Sequence, residues 1–478
     1  MLIDFSVENF LSFDDKETFT MLIDKSKTEN MDITVNNLGA GAIDKVLKSA
    51  VIFGANASGK SNLIKSIDIS RQIIVEGFDK IINLKDKQFR FNDGKKDSKF
   101  VFTFECENRI YEYGFTINYK MVTGEWLVNI CKEGNDVIQK ILFERIADGN
   151  GVTKIEIDFN SELVENEEDR KLLEAYAIGM TRENKGGLFL HRLYENNYSN
   201  IKHIFEWFSN IIIIYPDARI RPIWAFRSVI SKEFTDALSI FLRSLDTGIS
   251  EVKVSKKRFD FDKDFIKFAN DRDFKNDLKD TISKMEDNSL IQFGDNNEFY
   301  FITKDNDEYY ISTITTEHRA FNKSMTFEYY EESDGTKRLF ELAPIILDAK
   351  FNKKVCLIDE LDKSLHTIIN KKLLEYFMKS HTNSQLIVTT HDTNMMDLDF
   401  FREDQIWFIY KNRCQQSKLI PMCQINRDER LNPVRSYLDG RFRGIPNINE
   451  FELSRLMKES DDNGANREAT EKLNKRNS

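Results

Sequence analysis

Residues 45–61 constrain the fold of this chain more than any other segment. The apolar run KVLKSAVIF (45–53) leads directly into GANASGKS (54–61), and the residues that follow have helical spacing. This order predicts a strand, a glycine-rich loop and a helix, whose backbone N–H groups can hold phosphates at the helix N-terminus. The predicted phosphate-binding residues are Gly54, Asn56, Gly59, Lys60, Ser61 and Asn62.

Two side chains of this loop have specific roles in the prediction. Lys60 would reach the β- and γ-phosphates of a nucleotide, and Ser61 would ligate Mg²⁺ through its hydroxyl. The alternative is a glycine turn before a helix that binds nothing. The apolar strand immediately before the loop favours the phosphate site and predicts ATP with Mg²⁺ as the ligand.

A second apolar strand, VCLIDE (355–360), ends in two acids. Asp359 is predicted to hold Mg²⁺ through its water shell, and Glu360 to orient or deprotonate the attacking water. Acidic pairs at strand ends are also common on protein surfaces. The loop before this strand and the sequence LDKSLH after it favour the catalytic interpretation.

The segment ESDGT (332–336) looks like the signature sequence of ABC-type ATPases in its SMC-like form. Ser333 and Gly335 would then form a second anion site that caps the γ-phosphate bound by another subunit. The alternative is a plain helix N-cap, since Ser and Asp are preferred there. Gly335 precedes Asp359 by 24 positions, the usual separation in such ATPases, which favours the signature.

Two more residues are predicted to complete the site. His391 ends the apolar strand QLIVTTH, 32 positions after Asp359, and resembles the switch histidine that touches the γ-phosphate. Asp362 resembles the D-loop acid that links two active sites. Gln88 and Gln139 are both candidates for the glutamine that completes the Mg²⁺ shell.

Composition limits the class of protein. Of the 478 residues, 41% are hydrophobic and 31% are charged, which is typical of soluble globular proteins. No apolar stretch approaches the roughly 20 residues that span a membrane, and the start lacks a secretory signal. The five scattered cysteines favour reduced thiols in a cytoplasmic protein.

The formal net charge of −10 argues against a protein that coats nucleic acid along its whole surface. A local basic groove remains compatible with that charge, because net charge averages over all faces. Residues 215–227 interleave arginines with Trp224 and Phe226, a mixture that could bind nucleic acid but is more often wedged against a neighbouring domain.

The pattern along the chain predicts four regions. Residues 1–150 are expected to form a first ATPase lobe with an antiparallel β subdomain, and residues 151–325 a mainly helical insertion for oligomer or effector contacts. Residues 326–455 are expected to form a second ATPase lobe. Residues 456–478 are charged and poor in apolar residues, which predicts a disordered tail.

Together these motifs resemble the ABC/SMC-like, AAA-family ATPases of bacterial phage-defence systems, a group that includes the AriA, RloA, PtuA and AbiL-type ATPases. The resemblance covers residues 1–130 and 326–450, and it rests on ENFLSF, YEYGF, LIDELDKSLH and YLDGRFRGIP. It implies an α/β ABC-type head, homo-oligomers built on ATP-closed dimers, and slow ATP hydrolysis. It also implies a separately encoded toxic effector, such as a nuclease, and a phage protein as the trigger.

Other ATPase classes fit less well. In a transporter subunit the distance from Lys60 to Asp359 would be much shorter than 299 positions. A nuclease on the same chain would need an acidic metal-binding domain, and the 87 residues after His391 show no such pattern. The alternative that remains open is an SMC- or RecF-like DNA-binding ATPase of DNA repair.

Overall fold

In the computed structural model of this chain, three principal β-sheets lie among the described residues. The described residues are 1–26, 30–81, 83–92, 96–147, 153–183, 187–216, 231–260, 272–287, 289–294, 299–306, 308–348, 353–380, 383–425, 432–445, 449–452 and 454. The tail after residue 456 and the arginine- and aromatic-rich residues 217–227 lie outside them, so their predicted roles stay predictions.

The strands are numbered in chain order. They are β1 (Leu2–Glu8), β2 (Glu17–Thr20), β3 (Val35–Asn37), β4 (Lys45–Leu47), β5 (Ser49–Phe53), β6 (Ser98–Cys106), β7 (Arg109–Ile117), β8 (Val122–Glu133), β9 (Asp136–Ala147), β10 (Thr153–Ile157), β11 (Ile212–Ile214), β12 (Ile249–Arg258), β13 (Leu290–Gly294), β14 (Phe299–Asp305), β15 (Glu308–Ala320), β16 (Lys323–Glu328), β17 (Val355–Ile358), β18 (Gln385–Thr389), β19 (Ile406–Lys411) and β20 (Ser417–Pro421).

The α-helices of the described residues are numbered in the same way. They are α1 (Met31–Thr34), α2 (Lys60–Glu76), α3 (Leu84–Lys87), α4 (Glu167–Glu183), α5 (Phe189–Glu195), α6 (Lys202–Ser209), α7 (Lys232–Ser244), α8 (Arg272–Ser283), α9 (Asp334–Asp348), α10 (Thr367–Lys379) and α11 (Pro433–Leu438). Short 3₁₀ turns occupy Phe78–Lys80, Ser199–Ile201, Tyr329–Glu331, Thr393–Met395, Glu403–Gln405 and Met422–Gln424.

A six-stranded sheet forms the centre of the molecule, in the order β11-β17-β18-β5-β19-β20. The first five strands are parallel, and β20 is antiparallel to β19. Strand β5, from the N-terminal part of the sequence, therefore lies between β18 and β19, which come from its C-terminal part. The carboxyl ends of β5, β17 and β18 meet at one edge, where ligands bind in open parallel sheets.

Alternating side chains of the central sheet enter two different hydrophobic cores. On β5, Ala50 and Ile52 pack into the core shared with α2 and the antiparallel sheet, whereas Val51 and Phe53 pack into the core beneath α7, α9 and α10. All four side chains are at most 1% exposed. The uninterrupted apolar run of this strand follows from burial on both faces, as in other parallel sheets.

A seven-stranded antiparallel sheet, in the order β10-β9-β8-β7-β6-β1-β2, packs on the first core. It confirms the predicted antiparallel lobe and, together with the central sheet, the predicted α/β class. Its rows of buried aromatic side chains come from β1, β6 and β7, and Phe5 and Phe102 lie with ring centroids 4.8 Å apart.

The prediction of a mainly helical insertion over residues 151–325 needs correction. That segment contains α4 to α8, but also β10, β11 and most of a five-stranded antiparallel sheet built from β12 to β16. Strands β12 and β16 are charged and exposed over most of their length; all but one residue of β16 is exposed. They therefore lack the apolar enrichment by which strands are recognised.

The insertion is also not separate from the core. Strand β11 pairs in parallel with β17, and β10 extends the seven-stranded antiparallel sheet. Among the described residues, no helix is both long and apolar enough to cross a membrane.

Candidate functional site

The loop between β5 and α2 is shaped by two glycines. A Cβ at Gly54 would overlap Ile409 O and lie 2.6 Å from Ser58 Oγ. Gly59 has φ of 118°, and a Cβ there would overlap Ser417 Oγ and lie 2.9 Å from Ser12 Oγ. Since Gly59 caps α2 without a side-chain hydrogen bond, the first N–H groups of α2 are left for a ligand.

Lys60 is 6% exposed and lies at the centre of the site. Its Nζ donates to Gly54 O at 2.8 Å and to Ala55 O at 3.2 Å. Burial lowers the pKa of the Lys60 ammonium to about 8, although the nearby carboxylates of Asp359 and Glu360 act to raise it. The ammonium is thus desolvated and held by its own loop, where a triphosphate would supply stronger acceptors.

This pKa predicts how ATP affinity depends on pH. The charged ammonium binds phosphate, and the free protein loses that proton above about pH 8, so binding must then recover it. We expect the dissociation constant for ATP to rise about tenfold per pH unit above pH 8. Isothermal titration calorimetry at pH 7 to 9.5, in two buffers of different ionisation enthalpy, measures both the affinity and the proton uptake.

The control is Lys60→Arg, because a guanidinium stays protonated throughout this range. That variant should show a flat pH profile and no proton uptake. Equal proton uptake by the variant and the wild type would mean that another group titrates on binding.

The acidic end of β17 is fixed by Thr389 on the neighbouring strand. Thr389 Oγ1 donates to Asp359 Oδ1 at 2.6 Å and accepts from the backbone N–H of Glu360 at 2.8 Å. Asp359 is 2% exposed, whereas Glu360 is half-buried. The carboxylate of Glu360 makes no hydrogen bond within the described residues, so it is available to a water molecule.

His391 lies beside the same group of charges. Its backbone N–H donates to Asp362 Oδ1 at 3.2 Å, which joins the turn after β17 to the end of β18. Partial removal from water lowers the pKa of His391, and the charge of Lys60 lowers it further, while Asp362 and Glu360 act to raise it. The imidazole is therefore neutral near pH 7 and can donate one ring N–H to a phosphate.

The predicted signature residues lie at the start of α9. Ser333 Oγ accepts from Thr336 N at 3.1 Å, which is the N-cap considered as the alternative. A Cβ at Gly335 would lie 2.7 Å from Ser364 O, so the signature packs against the turn after Asp362. In the described part of the chain, no contact joins Ser333 or Gly335 to the P-loop.

Other predicted residues are placed as follows. Asn56 is exposed on the loop, and the Asn62 amide donates to Ser12 Oγ at 2.8 Å, so it braces the loop from the side. Gln88 is the C-cap residue after α3, and its amide Nε2 donates to Lys96 O at 3.4 Å. Gln139 is exposed on β9, in the antiparallel sheet.

The two residues predicted to hold magnesium, Ser61 and Asp359, carry the oxygen ligands that this ion prefers. The Ser61 hydroxyl and the second carboxylate oxygen of Asp359 accept no hydrogen bond within the described residues. Among those residues no three His, Cys, Asp or Glu side chains cluster into a metal cage. Mg²⁺ is typically held by one or two protein oxygens, substrate phosphates and several waters.

Sequence reasoning missed four residues that shape the site. Ser12 and Ser417 share a hydrogen bond of 2.7 Å under the loop, and Ser417 Oγ also donates to Ser58 O at 2.6 Å. Thr389 and Arg338 hold the acidic strand end. Thr389 could have been found from its position in the TTH run, but the two serines carry no sequence signal of their own.

These features define the site of a P-loop nucleotide-binding protein of the ATPase class. The sequence matches the family AAA_21, described as "AAA domain, putative AbiEii toxin, Type IV TA system", over residues 49–175 and 192–397. Because the match covers more than half of the chain, this protein belongs to that family. Its description links the family to AbiEii and type IV toxin–antitoxin systems.

Three solved structures of SMC heads are similar to this chain, each over 88% of its length. The Smc head bound to the C-winged helix domain of ScpA is 15% identical over 96% of that chain, with a TM-score of 0.40. The SMC head of Thermotoga maritima is 13% identical over 98% of that chain, with a TM-score of 0.34. The third structure is the Smc head domain with an extended coiled coil, bound to the C-terminal domain of ScpA derived from Pyrococcus furiosus. It is 14% identical over 95% of that chain, with a TM-score of 0.36. No curated protein matches the sequence.

Proposed function

We propose that this protein binds and hydrolyses ATP as the sensor and scaffold of a bacterial phage-defence system. Two copies close around shared ATP molecules and control a separately encoded toxic effector. The observation that supports this most is the convergence of Lys60, Asp359, Glu360 and His391 at one sheet edge, where their charges influence each other.

ATP binding follows from the loop. The free N–H groups at the start of α2 and the Lys60 ammonium supply donors and positive charge for the β- and γ-phosphates. When ATP enters, Lys60 exchanges the Gly54 and Ala55 carbonyls for phosphate oxygens. Those carbonyls hold the ammonium in place beforehand, so little rearrangement is needed.

Hydrolysis is assigned to Glu360. Its carboxylate accepts a proton from water as the water oxygen attacks the γ-phosphorus. The bond from that phosphorus to the β–γ bridging oxygen breaks, and the products are ADP and inorganic phosphate. The neutral His391 is positioned to donate a hydrogen bond to the transferred phosphoryl group. Bound Mg²⁺, held through Ser61 and Asp359, would neutralise phosphate charge.

The dimer is supported by the exposed start of α9. Ser333 and Asp334 lie at the surface there, and the helix N-terminus is suited to an anion. Since, among the described residues, none of its contacts reaches the P-loop of the same chain, we assign the γ-phosphate of a second copy as its ligand. The hydrogen bond from the His391 backbone N–H to Asp362 would couple the closure of one nucleotide site to the closure of the other.

The defence role rests on the family and on the motifs near both ends of the chain. The effector, a nuclease or another toxin, and the phage trigger protein are proposed partners. Localisation in the cytoplasm is part of the same proposal. The competing function is an SMC- or RecF-like repair ATPase, in which DNA stimulates turnover.

Two measurements distinguish these functions. The chain and the product of the neighbouring gene are expressed together in a bacterial host, and phage plaques are counted for the wild type and for Lys60→Ala. ATP turnover of the purified protein is then measured with and without linear duplex DNA. Protection that depends on Lys60, with turnover indifferent to DNA, supports defence. Strong stimulation by DNA without protection would establish the repair function instead.

A further inference from the structure

We propose that Arg338 is a positioning residue that holds Glu360 in its working conformation and transmits movement of α9 to it. The inference rests on the proposed hydrolysis of ATP and adds a means by which the two sites of a dimer regulate one another. Arg338 lies on α9, five positions after Ser333, and its side chain is 3% exposed.

The guanidinium donates to three backbone carbonyls in two separate segments of the chain and to one side chain of its own helix. Its Nη2 donates to Asp359 O at 3.0 Å and to Glu360 O at 3.1 Å. Its Nη1 donates to Tyr215 O at 3.1 Å and to Glu341 Oε2 at 3.0 Å. Arg338 therefore contacts Asp359 and Glu360 through their backbone carbonyls and makes no hydrogen bond to either of their carboxylates.

Glu360 needs such support because its backbone is strained. It has φ of 50°, in the left-handed region that residues other than glycine rarely adopt. Such conformations persist when the surrounding structure fixes them. Here Thr389 Oγ1 accepts the Glu360 N–H and Arg338 donates to the Glu360 carbonyl, so both ends of the residue are held.

The start of α9 contacts the same turn at a second point. The backbone of Gly335 approaches Ser364 so closely that a Cβ would lie 2.7 Å from Ser364 O. A displacement of α9 must therefore shift the turn at both Glu360 and Ser364. In the proposed dimer the start of α9 faces the ATP of the other subunit. Binding of ATP at one site therefore changes the position of Glu360 in the other.

Tyr215 extends this connection to the P-loop helix. Its hydroxyl donates to Asp68 Oδ2 on α2 at 2.9 Å, while its carbonyl accepts from Arg338. Through Tyr215, Arg338 thus connects α9, the helix that follows the signature, to α2, the helix that follows the P-loop. A lysine could not replace it, since one ammonium cannot present the planar fork that reaches these four acceptors.

The experiment uses the full chain with Mg²⁺ and ATP. Steady-state turnover as a function of ATP concentration gives kcat and the Hill coefficient, binding of a fluorescent ATP analogue gives Kd, and thermal unfolding gives Tm. For Arg338→Lys we expect kcat to fall roughly 10- to 100-fold, the effect of a misplaced catalytic group. Kd should stay near that of the wild type, and the Hill coefficient should fall from above 1 to 1.

The matched control is Arg243→Lys, an exposed arginine at the end of α7, which should leave all four quantities unchanged. Should Arg338→Lys fail to fold, Glu341→Gln removes the negative charge of one partner of the guanidinium and is expected to lower kcat and the Hill coefficient by smaller amounts. If Arg338→Lys folds and keeps the wild-type kcat and Hill coefficient, this inference is overturned while the proposed function stands. If Arg338→Lys does not fold, the same result for Glu341→Gln has the same consequence. Absence of ATP hydrolysis by the wild type would overturn the proposed function together with it.

Discussion

Glu360→Gln is expected to lower kcat for ATP by about 10²- to 10⁴-fold, the usual contribution of a general base. The amide cannot accept a proton from water, but it has nearly the shape of the carboxylate and leaves the backbone contacts with Thr389 and Arg338 in place. ATP should therefore remain bound, and the protein should accumulate in its closed oligomer. Single-turnover hydrolysis and size-exclusion chromatography measure the two effects.

The control for this variant is Glu168→Gln, which removes the same charge from an exposed position on α4. It should hydrolyse ATP as the wild type does. Wild-type turnover by Glu360→Gln would show that a different residue positions the attacking water, and the assignment of the base would have to be abandoned.

Lys60→Ala is expected to weaken ATP binding by more than about 100-fold. Each hydrogen bond to a charged group contributes about 1.5–3 kcal/mol, and the ammonium can make at least two to the triphosphate. The stability of the fold should not fall, because the substitution removes a buried charge. Burial of that charge is unfavourable, and it lowers the pKa of Lys60 to about 8. Calorimetric titration with ATP, together with a thermal unfolding curve, separates binding from stability.

Lys65→Ala is the control for Lys60→Ala, since it removes an exposed lysine from the next turn of the same helix. It should bind ATP like the wild type. Undiminished binding by Lys60→Ala would remove the assignment of the P-loop.

The parts of the site that could be predicted are those encoded in consecutive residues. The glycine loop, the acidic strand end and His391 each follow an apolar strand, and parallel pairing brings those strand ends to one edge. The sequence therefore predicts which residues converge, and the charges near Lys60 and His391 agree with it.

The missed residues act through contacts between distant parts of the chain. Ser12 and Ser417 meet under the P-loop although 405 positions separate them, and a serine looks the same in any loop. Arg338 is visible in the sequence as one of many basic residues on a helix. Only its burial and its three carbonyl acceptors reveal that it differs from an exposed arginine.

The third sheet was missed for a different physical reason. Burial of one face is what gives a strand its alternating pattern, and strands such as β12 and β16 are exposed over most of their length. Charged strands of this kind are held by pairing along β15, so their positions depend on backbone hydrogen bonds that composition does not reveal.

The central claim, that two subunits share each ATP, is tested most directly by the mass of Glu360→Gln in solution with Mg²⁺ and ATP. Mass photometry should show a particle twice the mass of the chain, and adding Ser333→Arg to this variant should return it to the monomer with ATP still bound. Two results would contradict the sharing of ATP between subunits. One is that Glu360→Gln alone binds ATP as a monomer, and the other is that the double variant with Ser333→Arg remains a dimer.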